Sequence, residues 1–172
     1  MFFQALRNAL FRPAPAADPP RTVPAVDLAR YLGRWYEAGR LPNPEQDGRR
    51  RCVDVTATYT RRADGSITVR NLARDAAAGM RQTGITGRAR VLDGTGARLR
   101  VTFFGLFGGP YWVIGLDANY RWAVVGTPSR RRLWILSRAP HLPAAEYDRA
   151  LAIAAEQGYD PARIRPTPQS AA

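Results

Sequence analysis

One cysteine, one histidine, a triple arginine and one oddly placed carboxylate are the residues with the most evident chemistry. Cys52 acts as a nucleophile only as the thiolate, and the adjacent Arg51 supplies a positive charge that would favour that form; an isomerase-type enzyme working through Cys52 is the catalytic reading. It lacks a base. His141 stands far along the chain between Pro140 and Leu142, where the sequence reads as a surface connection, and Cys52 is expected at a strand entry, outside any pocket. A lone cysteine excludes an intramolecular disulfide and a multi-cysteine metal site, and a lone histidine excludes a two-histidine zinc motif. No catalytic residue, metal or cofactor is therefore expected. Arg49, Arg50 and Arg51 suit the carboxylate or phosphate of a ligand head group, their plain alternative being a solvated charge run. Glu37 shares the inward face of Trp35 in the pentapeptide GRWYE, which puts a carboxylate inside the fold. It needs a partner there, expected to be an inner tyrosine or arginine.

The elements that must position these groups begin at Asp27. Asp27 reads as the N-cap of a short helical lead-in with Leu28, Tyr31 and Leu32 apolar, stopped by Gly33. A strand over about Arg34–Leu41 follows at once, with Trp35 at its first inward position as a plug. Pro42 to Arg51 reads as a long polar loop, a natural lid or mouth. The period is then two: Val53, Val55, Ala57 and Tyr59 alternate with polar residues, Asp64-Gly65 turns the chain, and Ile67, Val69 and Asn71 return. Residues 83–92 place Ile85, Gly87, Ala89 and Val91 opposite threonine and arginine, and Leu99, Val101 and Phe103 do the same after the turn at Asp93–Gly96. Strand after strand, arginines fall on the outer face.

Tyr111–Asp117, Trp122–Gly126 and Leu133–Ser137 are apolar on both faces, so something must cover them outside. Pro143–Gly158 supplies it, with Tyr147, Ala150, Leu151 and Ala154 at helical spacing. The expected architecture is all-β: an eight-stranded antiparallel up-and-down β-barrel with a C-terminal α-helix packed outside. Residues 1–26, rich in proline and alanine, read as a leader or tether, 27–168 as the barrel domain and 169–172 as a tail.

A chain of 172 residues and 19.0 kDa with 45% hydrophobic residues supports one folded domain. Its net charge of +12 rests wholly on arginine, since the sequence has no lysine. That charge permits peripheral contact with an anionic membrane or a nucleic acid. Arginines spread over successive strands without an exposed aromatic platform argue against a specific nucleic-acid partner. Met1–Phe11 makes a poor secretory signal, because Arg7 and Asn8 interrupt its apolar residues and no cysteine is available for lipid attachment. It reads as a plain leader or as a short amphipathic helix resting on a membrane. The residues leave a cytoplasmic or peripheral membrane location open without fixing one, and a monomer or a homodimer is the oligomeric expectation.

Three motifs, in order and in the expected elements, resemble the lipocalins, particularly the bacterial lipocalin and apolipoprotein D group. They are Gly33-Arg34-Trp35, the stretch Leu116-Asp117-Ala118-Asn119-Tyr120, and Arg138 after the last barrel strand. The resemblance covers Asp27 to Arg165. It implies a barrel closed at the tryptophan end, with the Arg138 guanidinium stacked on Trp35, so that Gly33, Trp35, Asp117, Tyr120 and Arg138 are structural. It also implies the cell envelope as location, although the lipidated cysteine of the anchored bacterial members is missing. The ligand expectation is a fatty acid, a lysophospholipid or a similar lipid in an apolar cavity. Strand alternation gives the lining as Val55, Ala57, Tyr59, Val69, Ile85, Leu99, Val101 and Phe103, with Ile67 and Ala89 on the same face. Continued phase adds Tyr111, Val113, Trp134 and Leu136.

Overall fold

The computed structural model describes residues 18–170, so the Met1–Phe11 stretch lies outside the described residues. The chain enters the barrel through helix α1 (Leu28–Tyr31), whose N-terminal amides on Ala29 and Arg30 donate to the Asp27 carboxylate. Gly33 takes a φ of +93°, open to glycine and costly for other residues, and turns the chain directly into β1 (Gly33–Arg40).

Eight antiparallel strands then form the wall: β1, β2 (Cys52–Arg61), β3 (Ile67–Asp75), β4 (Arg81–Val91), β5 (Arg98–Phe103), β6 (Phe107–Leu116), β7 (Trp122–Gly126) and β8 (Leu133–Ser137). Each pairs with the next in sequence, and β1 closes the ring by pairing with both β2 and β8. The expected eight-stranded barrel is the observed one. A two-residue strand, β9 (Arg165–Pro166), adds to it alongside the upper part of β1.

β9 has a mechanical reason. β1 pairs with β2 only over Gly33–Tyr36, and beyond that point the two strands part. The chain's end fills the seam: Thr167 N donates to Ala38 O at 3.0 Å, and Asp54 N to Pro168 O at 2.9 Å. The Gln169 side-chain amide donates to both Glu37 O and Val55 O at 2.9 Å. Otherwise unpaired backbone groups are thereby satisfied.

Two bulges break the simple alternation. One lies in β1 between Glu37 and Gly39. The other lies in β2 between Val53 and Thr56, where Asp54 has a φ of 51°. The first puts Glu37 and Arg40 on the same inner face, three residues apart, while Ala38 packs outside.

The region read as an irregular loop holds a short helix, α2 (Pro44–Asp47), capped by the Asn43 side chain accepting from Gln46 N at 3.0 Å. Helix α3 (Ala144–Glu156) covers β6 and β7 as expected, with Ala150 and Ala154 fully buried against Val124, Leu133 and Ile135. A Cβ at Gly39 would lie 2.5 Å from the Tyr147 hydroxyl, so only glycine admits that ring against β1. Before α1, Val23 and Val26 donate their amides to Val113 O and Thr95 O, so this part of the leader lies along the barrel wall. No described helix is long and apolar enough to cross a membrane.

Candidate ligand-binding site

The barrel's lower half is solid. Trp35 is fully buried, its Nε1 donating to Tyr31 O at 2.8 Å, and the Tyr31 ring centroid lies 5.0 Å from its own. Leu99, Val113, Ile67 and Ala89 pack in the same layer, each almost wholly buried. Above them three tyrosine hydroxyls meet: Tyr111 Oη lies 2.7 Å from Tyr31 Oη and 2.9 Å from Tyr59 Oη. Burial pushes the Tyr59 hydroxyl up to about 12 and raises Tyr31 and Tyr111 well above the ordinary phenol range. All three are therefore neutral phenols at physiological pH, forming a polar but uncharged floor.

Over this floor opens a cavity of about 930 Å³. Val55, Ala57, Tyr59, Val69 and Ile85 line one side. Val101, Phe103, Tyr111, Trp134 and Leu136 line the other. Ten of the twelve residues expected from alternation thus border the space. Leu99 and Val113 do not: they face inward as expected but sit below the floor, in the solid layer around Trp35. Alternation gives the face of a strand, not the height along the axis.

One wall is polar, and α2 closes it: Glu37, Asn43 and Gln46 line the cavity, and Arg40 and Asp47 stand behind them, outside its lining. The Arg40 guanidinium donates from Nη1 to Glu37 Oε1 at 2.7 Å. It donates twice to Asp47, from Nη2 to Oδ1 at 2.6 Å and from Nε to Oδ2 at 2.9 Å. Glu37 Oε1 also accepts from Thr167 Oγ1 at 2.6 Å, and Oε2 accepts from Gln46 Nε2 at 2.8 Å. Gln46 Oε1 in turn accepts from Trp134 Nε1 at 3.0 Å and from Asn43 Nδ2 at 2.8 Å. The buried Glu37 carboxylate thus has the arginine partner expected for it, Arg40. Burial works to lower the Arg40 pKa, but the Asp47 hydrogen bonds and the Glu37 charge outweigh it and hold Arg40 charged. The same contact keeps Asp47 below the ordinary carboxylate range.

A family model described as a lipocalin-like domain matches residues 26–169. The chain belongs to the lipocalin family. It is 42% identical over 146 residues to the outer membrane lipoprotein Blc of Escherichia coli K12, covering 83% of this chain and 80% of that one. It is 36% identical over 164 residues to temperature-induced lipocalin-1 of Arabidopsis thaliana (86% and 82% covered). Apolipoprotein D of Macaca fascicularis is 33% identical over 154 residues (85% and 78% covered). Among solved structures, insecticyanin from the tobacco hornworm Manduca sexta superposes with a TM-score of 0.70 at 18% identity, over 88% of this chain and 85% of that one. That last likeness is one of fold.

In this lipocalin the motif residues make their contacts at the closed end and in the turn after β6. Arg138 lies over Trp35 at the closed end, and the Asp117 carboxylate accepts from Asn119 N and Arg121 N to hold the turn after β6. Tyr120 occupies that turn with a φ of 60°, and its hydroxyl accepts from Asp27 N at 2.9 Å.

The mouth departs from expectation in two ways. Of the triple arginine, Arg50 reaches the cavity lining and Arg49 and Arg51 do not, whereas Arg131 and Arg132 from the β7–β8 loop do. Arg132 is held by both oxygens of Glu45 at 2.8 and 2.9 Å, while no ion pair involves Arg50 or Arg131 among the described residues. The run Arg130-Arg131-Arg132 between two apolar strands carries the same sequence signal as Arg49–Arg51. Cys52 is not outside the pocket, because its position at the start of β2 puts it in the cavity wall. It is buried, and that burial raises its thiol pKa against the opposing pull of Arg40; Arg51 does not activate it. Among the described residues no group of three or more His, Cys, Asp or Glu side chains could hold a metal ion.

Proposed function

We propose that this lipocalin binds and carries fatty acids, lysophospholipids or similar single-chain lipids, tail on the tyrosine floor and anionic head at the arginine mouth. Lipocalins bind small hydrophobic ligands, and the cavity is of the size that admits one. The observation that carries the narrower reading is a polarity gradient. Aliphatic and aromatic side chains line the lower space, and two arginines without an ion pair among the described residues, Arg50 and Arg131, border it.

Burying methylenes is worth about 0.8 kcal/mol each before ordering costs, so a long acyl chain needs few polar contacts for micromolar binding. The head group adds charge-assisted hydrogen bonds and, with them, a direction of insertion. The inner polar wall does not compete for it, since Glu37, Arg40 and Asp47 satisfy one another. Binding, not turnover, is the activity: Cys52 is held as the thiol, and the tyrosines of the floor as phenols. Moving such lipids between membranes is the role that suits this chemistry.

The test is displacement of a fluorescent fatty acid. Palmitate and lysophosphatidylglycerol are expected to displace it. An Arg50→Ala/Arg131→Ala variant should lose about tenfold in affinity for palmitate and little for the matching fatty alcohol. Failure of every lipid to displace the probe would sink the reading. Equal losses for acid and alcohol would remove the arginines from it.

A further inference from the structure

The open end of the barrel carries a feature that ligand binding does not explain. At the tip of the β5–β6 hairpin Phe104 is 75% exposed and Leu106 82%, the two most exposed large apolar side chains among the described residues. The backbone there is unfavourable as well. Phe104 has a φ of 51° and Gly105 of 70°, with Leu106 N donating to Phe103 O at 3.1 Å. Turns of this kind favour asparagine, aspartate or glycine, and a bulky residue at positive φ is an outlier. An aromatic side chain is held in water at a position that also strains its backbone. Arginines surround it: Phe104 borders the same cavity mouth as Arg50, Arg131 and Arg132.

We propose that this rim docks on an anionic phospholipid bilayer. Phe104 and Leu106 enter the boundary between head groups and acyl chains, and the mouth arginines lie on lipid phosphates. Exposed apolar tips ringed by cations match that surface in both respects. A second copy of the chain does not, because two such rims would set arginine against arginine on molecules of net charge +12. Docked this way, the cavity mouth faces the membrane, and ligand exchanges with the bilayer without crossing bulk water. That consequence rests on the lipid-carrier reading above; the docking does not.

Flotation of the full chain with vesicles tests the proposal, using phosphatidylcholine alone and phosphatidylcholine mixed with phosphatidylglycerol. The chain is expected to float with the anionic vesicles, less so as NaCl rises, and Phe104→Ser/Leu106→Ser should weaken binding about tenfold. Phe104→Asn relieves the positive-φ strain, so it should raise Tm while lowering vesicle binding, an outcome that misfolding cannot imitate. Leu106→Ser, which lies off the cavity lining, should bind fluorescent fatty acid as the parent chain does. The proposal is overturned by a parent chain that ignores anionic vesicles. Rim variants that float unchanged also overturn it, assigning the contact to another part such as Met1–Phe11. A drop in oligomeric mass in the variants would overturn it in favour of self-association. Vesicle binding without any fatty-acid binding would leave the docking standing and remove the carrier reading.

Discussion

The guanidinium of Arg138 lies over the indole of Trp35, its Cζ 3.7 Å from the ring centroid. From that position it donates to Arg34 O at 2.8 Å, to Arg30 O at 2.6 Å and to Tyr31 O at 3.2 Å. One side chain after β8 thereby ties together α1, the start of β1 and the ring that plugs the barrel. A planar cation does both jobs at once; a lysine ammonium cannot stack and fork together.

Removing the plug should cost more than removing the clamp. Trp35→Ala is expected to destabilise the fold by about 3–5 kcal/mol. Arg138→Lys is expected to cost about 1–2 kcal/mol, through loss of the stack and part of the fork. Urea unfolding measures both. The order of affinities among lipids should be unchanged in Arg138→Lys, because Arg138 does not border the cavity. A reordered ligand series would move the closed end into the binding site.

The Arg40 network predicts an acid-sensitive latch on α2. The Arg40 hydrogen bonds hold Asp47 below its ordinary pKa, with burial acting the other way. With the folded pKa depressed, the unfolded chain takes up the proton first. The stabilisation is full above the ordinary carboxylate value of about 4 and is lost as pH falls through the lower folded value. Asp47→Asn should flatten the Tm profile in that window and match the parent's lower plateau. Arg40→Leu is a harsher change, because it leaves the Glu37 carboxylate buried without its cation, and should cost about 3–5 kcal/mol at neutral pH. A Tm profile equally steep in the parent and in Asp47→Asn would count against the latch.

Much of this was legible because a barrel writes its wall with period two. Val55, Ala57 and Tyr59 announce their face directly, and Gly33, Trp35 and Arg138 announce the closed end. Four things were not. The bulge at Ala38 resets the phase of β1, so Arg40 turns inward where simple alternation would have put it outside. Helix α2 is four residues long, too short to show a period, although Asn43-Pro44 is a capping signature. The partners of Glu37 include Thr167, and no local pattern brings together residues from opposite ends of a chain. Leu99 and Val113 show the remaining limit, since depth along the axis depends on strand tilt and register.

Cys52 should behave as a buried structural thiol. Because burial raises its pKa, iodoacetamide should modify it at neutral pH more slowly than a free cysteine, with the rate still climbing above the ordinary thiol value of about 8.5. Cys52→Ala trims the cavity wall without removing a hydrogen bond and should still bind fatty acid. Rapid alkylation at neutral pH, or turnover of a lipid peroxide or prostanoid-like substrate that Cys52→Ala lacks, would revive the nucleophile reading.

Filling the cavity should abolish binding without unfolding the barrel. Ala57 is half-buried and lines the cavity together with Tyr59 and Trp134, so Ala57→Trp places an indole where the acyl chain would lie. Affinity for palmitate is expected to fall by about a hundredfold, with stability within about 1 kcal/mol of the parent. Shorter fatty acids should lose less than longer ones. Equal losses at all chain lengths would place the tail somewhere other than this cavity.

The most direct measurement is native mass spectrometry of the full chain, as purified and after incubation with palmitate or a lysophospholipid. One lipid per chain is the predicted result, retained on gentle activation, accompanied in solution by a change in Trp134 emission and absent in Ala57→Trp. Unliganded mass alone, from both the purified and the lipid-incubated protein, would contradict the account.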